Sequence, residues 1–133
     1  MAATVLVVDD EETQRELLRR WLDLWGYGVF TAGDAATALE MMAAQPADIM
    51  VTGVRMPEHD GLWLIERVSA NWPNTAIILA TGVVEDEVVK KARRLGALDC
   101  VTKPFGRELL RQALDRAEQK HSQHTDQNER DTS

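Results

Sequence analysis

Four polar side chains directly follow short apolar runs of the chain, and their chemical types could act together. Asp9 and Asp10 come after the run at 4–8, while Thr81 and Lys103 each follow a later run. Two adjacent carboxylates make a hard-oxygen site suited to Mg²⁺, which accepts one or two carboxylates and keeps several waters. A hydroxyl group and an ammonium group beside them suit an anionic oxygen such as that of a phosphoryl group.

The apolar runs alternate with segments of helical periodicity, and this alternation predicts the elements that would position the four side chains. The pattern is typical of the α/β class, with a doubly wound parallel sheet covered by helices on both faces. We expect strands at 4–8, 28–31, 48–52, 76–80 and 98–102. We expect helices near 12–25, 34–44, 61–71, 85–95 and 106–120. Because the carboxyl ends of parallel strands share one edge of a sheet, the four side chains should meet there.

Length and composition limit the number of domains and the class of partner. A chain of 133 residues suffices for one domain with a single core. Its net charge of −7 argues against a general role in coating nucleic acid or binding an anionic membrane. Cys100 is the only cysteine, so no internal disulfide forms, and we expect a cytoplasmic location. We expect a domain at 1–120 and, because residues 121–133 contain no apolar side chain, a disordered polar tail or truncated linker after it.

Four blocks of sequence carry a resemblance to a known family. They are Val7-Val-Asp-Asp-Glu11, Arg55-Met-Pro-Glu-His-Asp-Gly61, Ala80-Thr-Gly82 and Gly96-Ala-Leu-Asp-Cys-Val-Thr-Lys-Pro-Phe105. In order and spacing they resemble the receiver domains of two-component response regulators, the CheY-like superfamily. The resemblance implies a five-stranded flavodoxin-like sheet of order 2-1-3-4-5 and a Mg²⁺-dependent phosphoryl transfer from a sensor histidine kinase to one aspartate.

The resemblance also implies a role for each matching residue. Asp9 and Asp10 would be the acidic pair that holds Mg²⁺, together with the backbone carbonyl of Arg55. Thr81 would be the switch hydroxyl, and Lys103 would contact the phosphate. The peptide bond before Pro104 would be cis, a form that only about 5% of bonds to proline adopt.

Two positions depart from the family pattern. Counting back four residues from Pro57 places the phosphate-accepting aspartate at 53, where this chain has glycine. Gly53 has no nucleophile, and Mg²⁺ loses one protein oxygen, so its binding should be weakened or lost. At the position of the switch aromatic residue, three before Lys103, the chain has Cys100. With one carboxylate fewer in the pocket, we expect Lys103 to pair directly with Asp9 or Asp10.

The sequence thus favours a signalling domain that is not an enzyme, is not phosphorylated on aspartate and acts through protein contacts. Residues 86–120 hold nine basic and six acidic residues, so we expect a sensor kinase or an output domain to dock on the fourth helix, fifth strand and fifth helix, without nucleic-acid binding. The sequence is also compatible with a homodimer. Trp63 should point outward, either contacting a partner or lying partly buried beneath Arg67.

Three alternatives remain, one within the receiver family and two in other classes of protein. One is an ordinary phosphorylatable receiver with an engineered Asp-to-Gly change at 53. Another is a Mg²⁺-dependent phosphatase-like enzyme, which would need Asp-x-Asp where this chain has Asp9 and Glu11. The last is a flavin-binding electron carrier, whose phosphate the acidic residues at 9–12 would repel.

Overall fold

Strands and helices alternate strictly along the chain, as the sequence predicts. The computed structural model describes residues 3–82, 85–103 and 106–132, with side chains described as far as Lys120. The strands are β1 Thr4–Val8, β2 Gly28–Ala32, β3 Ile49–Thr52, β4 Ala76–Thr81 and β5 Asp99–Thr102. The helices are α1 Glu12–Leu24, α2 Ala35–Ala44, α3 Gly61–Asn71, α4 Asp86–Leu95 and α5 Arg107–Thr132.

The five strands form one parallel sheet of order β2-β1-β3-β4-β5, which confirms the predicted topology. Every residue of β3 and β4 is buried, because the strands' apolar runs leave neither face of the sheet for water. The first strand lies between β2 and β3, so the chain reverses its direction of winding there. In folds of this kind the ligand crevice lies at the carboxyl ends of the strands beside that reversal.

Alternate residues of each strand point into one of two apolar cores. Leu6 of β1 and Met50 of β3 belong to the core beneath α2, α3 and α4. Val7 and Val51, their neighbours along the same strands, belong to the core beneath α1 and α5. This alternation follows from the two-residue period of a strand, and it holds the sheet rigidly between two helical layers.

The fifth helix differs from the prediction at its end. It continues to Thr132, past the expected end near 120 and into the segment predicted to be a disordered tail. The physical reason lies in the residues present: 107–133 contains neither glycine nor proline, so nothing in the sequence stops the helix. The buried apolar face of α5 ends near Ala117, whereas its helical backbone continues to Thr132.

Within the described residues, no helix combines the length and the apolar character that crossing a bilayer requires.

Candidate functional site

The four polar residues identified from the sequence meet at the carboxyl edge of the sheet. They line one cavity of about 560 Å³. Its walls are Asp9, Asp10, Glu11, Gly53, Val54, Arg55, Ala80, Thr81, Gly82 and Lys103. The loops after β1, β3, β4 and β5 therefore contribute to a single site, as the topology requires.

Asp9 is the most constrained acidic group of the cavity. It is 4% exposed, and its Oδ2 atom accepts a hydrogen bond from Lys103 Nζ at 2.6 Å. Its Oδ1 atom accepts from the backbone N–H of Glu11 at 3.0 Å. The direct pairing of Lys103 with Asp9 or Asp10 is thus confirmed, with Asp9 as the partner. Both carboxylate oxygens of Asp9 are engaged within the chain.

The backbone of Asp9 is held by a residue that the sequence analysis missed. Arg15 Nη1, from the second turn of α1, donates a hydrogen bond to the Asp9 carbonyl oxygen at 2.7 Å. The guanidinium group also lies against Gly33, where an added Cβ would come within 3.3 Å of Arg15 Nη1. The spacing of six residues gives no signal of this contact, because it depends on where the loop after β1 turns.

The side chains of the cavity that could hold a divalent cation are the carboxylates of Asp9, Asp10 and Glu11. Receiver domains usually bind Mg²⁺, which needs oxygen ligands with lone pairs to spare. Asp9 accepts one hydrogen bond at each carboxylate oxygen, Asp10 is exposed at the rim, and Gly53 offers no side chain. In the described part of the chain, no three acidic, histidine or cysteine side chains converge in a way that could hold a metal.

Gly53 is a glycine that the backbone does not require. It directly follows β3, and its N–H donates to the Val8 carbonyl oxygen at 2.9 Å. Its φ lies outside the positive range that favours glycine, since only Gly26 and Gly96 among the described glycines adopt positive values. A Cβ at Gly53 would lie 3.5 Å from Asp9 Oδ2 and 3.7 Å from the Ala80 carbonyl oxygen, which are ordinary contact distances. The backbone can therefore accept a side chain there.

Gly61, at the start of α3, is by contrast a position where the surrounding backbone requires glycine. A Cβ at this position would overlap the carbonyl oxygen of Gly53. The close approach arises because the Gly61 N–H donates to the Val54 carbonyl oxygen at 2.7 Å, while Asp60 caps the helix by accepting from Trp63 N at 2.9 Å. These bonds draw α3 against the loop that carries Gly53 and fix that loop's path.

Thr81 and Cys100 have different surroundings, although they lie on neighbouring strands. Thr81 ends β4, is 3% exposed and lines the cavity, and the Lys103 N–H donates to its carbonyl oxygen at 2.7 Å. Cys100 pairs with Leu79 across β4 and β5 and is not a wall of the cavity. It packs half-buried on the core beneath α4, and this burial raises the pKa of its thiol. The structure therefore does not bring Cys100 into the site.

Two further residues singled out from the sequence, Trp63 and Pro104, are not among the described walls of the cavity. Trp63 is half-buried on α3, with the His59 ring stacked on it at 3.8 Å and the Arg67 guanidinium 3.8 Å from its ring centre. Packing with Arg67 was one of the two predicted outcomes, and the contact with a partner stays a prediction. Pro104, the expected cis-proline, lies outside the described residues.

The surface made by α4, β5 and α5 carries the predicted basic side chains. Its exposed cations are Lys90, Lys91, Arg93, Arg94, Arg107, Arg111 and Arg116. Two of them bind β5 or the residue before it: Arg116 Nε lies 2.5 Å from Asp99 Oδ2 of β5, and Arg93 Nη1 donates to the carbonyl oxygen of Leu98, which directly precedes β5, at 3.2 Å. The two helices are thereby joined to the edge strand, so this face is one continuous surface.

Comparisons with known proteins agree with this architecture. The family profile of the response regulator receiver domain matches residues 5–115. The regulatory protein AtoC of Escherichia coli (strain K12) is 35% identical over 118 residues, covering 89% of this chain and 26% of AtoC. The probable chemotaxis protein CheY of Rhizobium etli is 35% identical over 115 residues, covering 84% of this chain and 88% of that protein. The chain thus spans about a quarter of AtoC but most of CheY.

Solved structures show the same fold. The signal receiver domain of an HD domain-containing protein from Pseudomonas fluorescens Pf-5 matches with a TM-score of 0.87 and 30% identity, covering 92% of this chain and 99% of that one. NtrX from Brucella abortus matches with a TM-score of 0.90 and 28% identity, covering 97% of this chain and 29% of NtrX.

The chain belongs to the response regulator receiver family, with the CheY-like, flavodoxin-like fold. Receiver domains are signalling modules of two-component systems, where they interact with sensor kinases and output domains.

Proposed function

We propose that this receiver domain lacks the phosphate-accepting aspartate and acts through protein contacts instead of catalysis. The observation that carries the proposal is Gly53, which lines the cavity directly after β3, four residues before Pro57. A glycine offers no nucleophilic oxygen, so no acyl phosphate forms at this position. The chain therefore keeps the fold of a phosphorylatable receiver without its reacting group.

The other nearby carboxylates are poorly placed to replace the missing one. Asp9 is held by Lys103 and by the Glu11 amide. Asp60 caps α3 and lies outside the cavity lining. Asp48 accepts a hydrogen bond from Thr4 N at 2.9 Å, at the opposite end of the strands. Each has a structural partner and none directly follows β3, which supports the absence of a substitute acceptor.

Mg²⁺ binding should be correspondingly weak in this domain. A cation entering the cavity would compete with the Lys103 ammonium group for Asp9, and position 53 would supply no further carboxylate beside those of Asp10 and Glu11. The ammonium group already neutralises the buried carboxylate, so the domain does not depend on a metal for its electrostatic balance.

We assign the contacts with a sensor kinase or an output domain to the surface made by α4, β5 and α5. That surface is basic on a chain of net charge −7, so it would attract an acidic patch of a partner while the rest of the domain repels it. Cys100 stands on this surface's strand in place of the switch aromatic residue. Its small side chain cannot swing between two positions as a large ring does, which supports a constitutive surface.

Amide spectra recorded by NMR would test the proposal. The chain and its Gly53→Asp variant are compared with and without Mg²⁺ and phosphoramidate, a phosphodonor that contains no carboxylate. When phosphoramidate is added, we expect the amides that line the cavity to shift in Gly53→Asp and to stay unchanged in the unmodified chain. Equal phosphodonor-dependent shifts in both proteins would contradict the proposal, and Gly53→Asn is the matched control without a nucleophile.

A further inference from the structure

β2 is one of the two edge strands of the sheet, and hydrogen bonds at its two ends fix which backbone groups face β1. The Gly28 N–H donates to the Ala3 carbonyl oxygen at 3.1 Å, and the Ala32 carbonyl oxygen accepts from the Asp9 N–H at 3.1 Å. Both ends of β2 therefore turn their polar backbone groups towards β1. Because this direction alternates along a strand, the middle residue, Phe30, faces β1 as well.

The two residues between these positions, Val29 and Thr31, turn their polar backbone groups away from the sheet. Each has one N–H donor and one C=O acceptor on the open side, so the edge offers two donors and two acceptors. Both residues are half-exposed, and none of the four groups has a hydrogen-bond partner within the part of the chain that the structure describes. An unpaired row of this kind is a template for another strand.

The side chains of β2 do not oppose such pairing. Residues 28–32 read Gly-Val-Phe-Thr-Ala and contain neither a charge nor a proline, two of the features by which edge strands avoid each other. The other edge strand, β5, contains the charged residue Asp99, which binds the Arg116 guanidinium group. Of the two edges, β2 is therefore the one suited to pairing.

An apolar cavity of about 160 Å³ opens beside Phe30, between α2 and the sheet. Its walls are Leu6, Phe30, Met41, Ala44, Gln45 and Ala47. Only Gln45 among them is polar, and the Phe30 side chain is half-exposed. An aromatic side chain that arrives at the β2 edge can thus bury apolar surface against Phe30 and this cavity.

From these features we propose that two copies of this chain pair through β2, in antiparallel orientation, about a two-fold axis at Phe30. Val29 of each copy then lies opposite Thr31 of the other, and each of these pairs exchanges two N–H···O=C bonds. The two pairs use all four outward groups of each strand, so the edge is complementary to a second copy of itself. The two Phe30 side chains meet across the axis on the same face, as a favourable aromatic pair.

This pairing joins the two sheets into one continuous sheet. It involves neither position 53 nor the surface made by α4, β5 and α5, so it goes beyond the proposed function and does not depend on it.

Sedimentation velocity of the full chain, from micromolar to millimolar concentration, would test the inference. We expect a reversible dimer in the unmodified chain. Thr31→Pro removes an outward N–H but no bond to β1, so its circular dichroism should be unchanged. Because the dimer then loses two hydrogen bonds, its dissociation constant should rise at least about tenfold. Thr31→Ala keeps the N–H and is the matched control, which should dimerise as the unmodified chain does.

Cysteine cross-linking reports the register of the pair. In a Cys100→Ser background, Phe30→Cys places two thiols at a non-hydrogen-bonded pair whose Cα atoms are about 4.5 Å apart, which a disulfide can span. Gly28→Cys is the control, because the two copies of residue 28 lie four residues apart along the pair, about 13 Å. A Cβ at Gly28 meets only Thr4 Cγ2, at 3.5 Å, so the substitution fits the fold. Mild oxidation should cross-link Phe30→Cys and not Gly28→Cys.

Three results would overturn the inference. The first is a chain that stays monomeric up to millimolar concentration. The second is a dimer that Thr31→Pro does not weaken, which would mean association through another surface. The third is a Phe30→Cys variant that cross-links no better than Gly28→Cys.

Discussion

Gly53 and Gly61 lie at the two ends of the loop between β3 and α3, yet they are glycines for different reasons. At Gly61 a side chain would overlap the backbone of Gly53, so the fold itself requires glycine. At Gly53 the nearest atom to a Cβ is 3.5 Å away and the backbone conformation suits any residue. The close packing of α3 against the loop thus requires Gly61, whereas the backbone does not require Gly53.

This contrast shows that the fold of this chain forms without a side chain at position 53. The sheet order, the two apolar cores and the capped start of α3 are all present around Gly53. The buried apolar surface specifies the fold, whereas a single side chain at one strand end specifies phosphorylation. On the proposed function, this domain keeps the fold and lacks phosphorylation.

Replacing each glycine by alanine should separate the two cases most widely. Gly61→Ala should lower the free energy of unfolding by about 3 kcal/mol, because backbone must move to admit the methyl group. Gly53→Ala should change it by less than about 1 kcal/mol, as an ordinary substitution without a clash does. Urea unfolding followed by circular dichroism measures both, and similar losses in the two variants would refute the contrast.

The ion pair between Asp9 and Lys103, beside Gly53, should contribute the next largest effect. Lys103→Met leaves the buried carboxylate of Asp9 without its cation and should cost about 2 kcal/mol, less than a fully buried pair because Lys103 is partly exposed. The double variant Asp9→Asn, Lys103→Met removes both charges and should lose less than Lys103→Met alone. Strictly additive losses in urea unfolding would show that the pair is not coupled.

Restoring the carboxylate should cost stability when no Mg²⁺ is present. Gly53→Asp brings a second negative charge close to Asp9, and two carboxylates about 5 Å apart repel by ~3 kcal/mol at an effective dielectric near 20, of which Lys103 offsets a large part. We expect a net loss of roughly 1 kcal/mol relative to the isosteric Gly53→Asn. Thermal melts at neutral pH with a chelator present measure it, and an Asp variant that is as stable as the Asn variant would remove the argument.

Tyr27, at the opposite end of the sheet from the cavity, provides a control. Substitutions at position 53 should not change its effect on stability. Burial, followed by the charge and hydrogen bond of Glu118, raises the pKa of Tyr27 from 10.0 to about 12. The unfolded chain therefore ionises first as the pH rises, and the stability from neutral Tyr27 is present below pH 10 and lost between pH 10 and 12. Tyr27→Phe should remove this loss, and Gly53→Ala should leave it unchanged. If Gly53→Ala lost a different amount of stability between pH 10 and 12, the two ends of the sheet would be coupled.

The fold and most of the cavity could be predicted from the sequence because they depend on local patterns. Apolar runs and their spacing gave the five strands, and parallel topology alone brings Asp9, Thr81 and Lys103 to one edge. Contacts that depend on the path of a loop or the rotamer of a long side chain could not be predicted. The bond from Arg15 to the Asp9 carbonyl is of this kind.

Helix ends and surface stacking were also beyond the sequence patterns. The end of α5 was placed near 120 because the apolar periodicity stops there, but a helix without glycine or proline can continue as a polar one. The stacking of His59 on Trp63 depends on the turn before α3, where Glu58 adopts a φ of 68°. A positive φ at a residue other than glycine has no reliable sequence signal.

Intact-mass measurement after incubation with Mg²⁺ and phosphoramidate tests the central claim most directly. The account predicts that the unmodified chain keeps its mass, while Gly53→Asp gains one phosphoryl group of roughly 80 Da. Gly53→Asn, treated in the same way, should gain nothing. A phosphoryl adduct on any carboxylate of the unmodified chain would contradict the claim that this receiver has lost its acceptor.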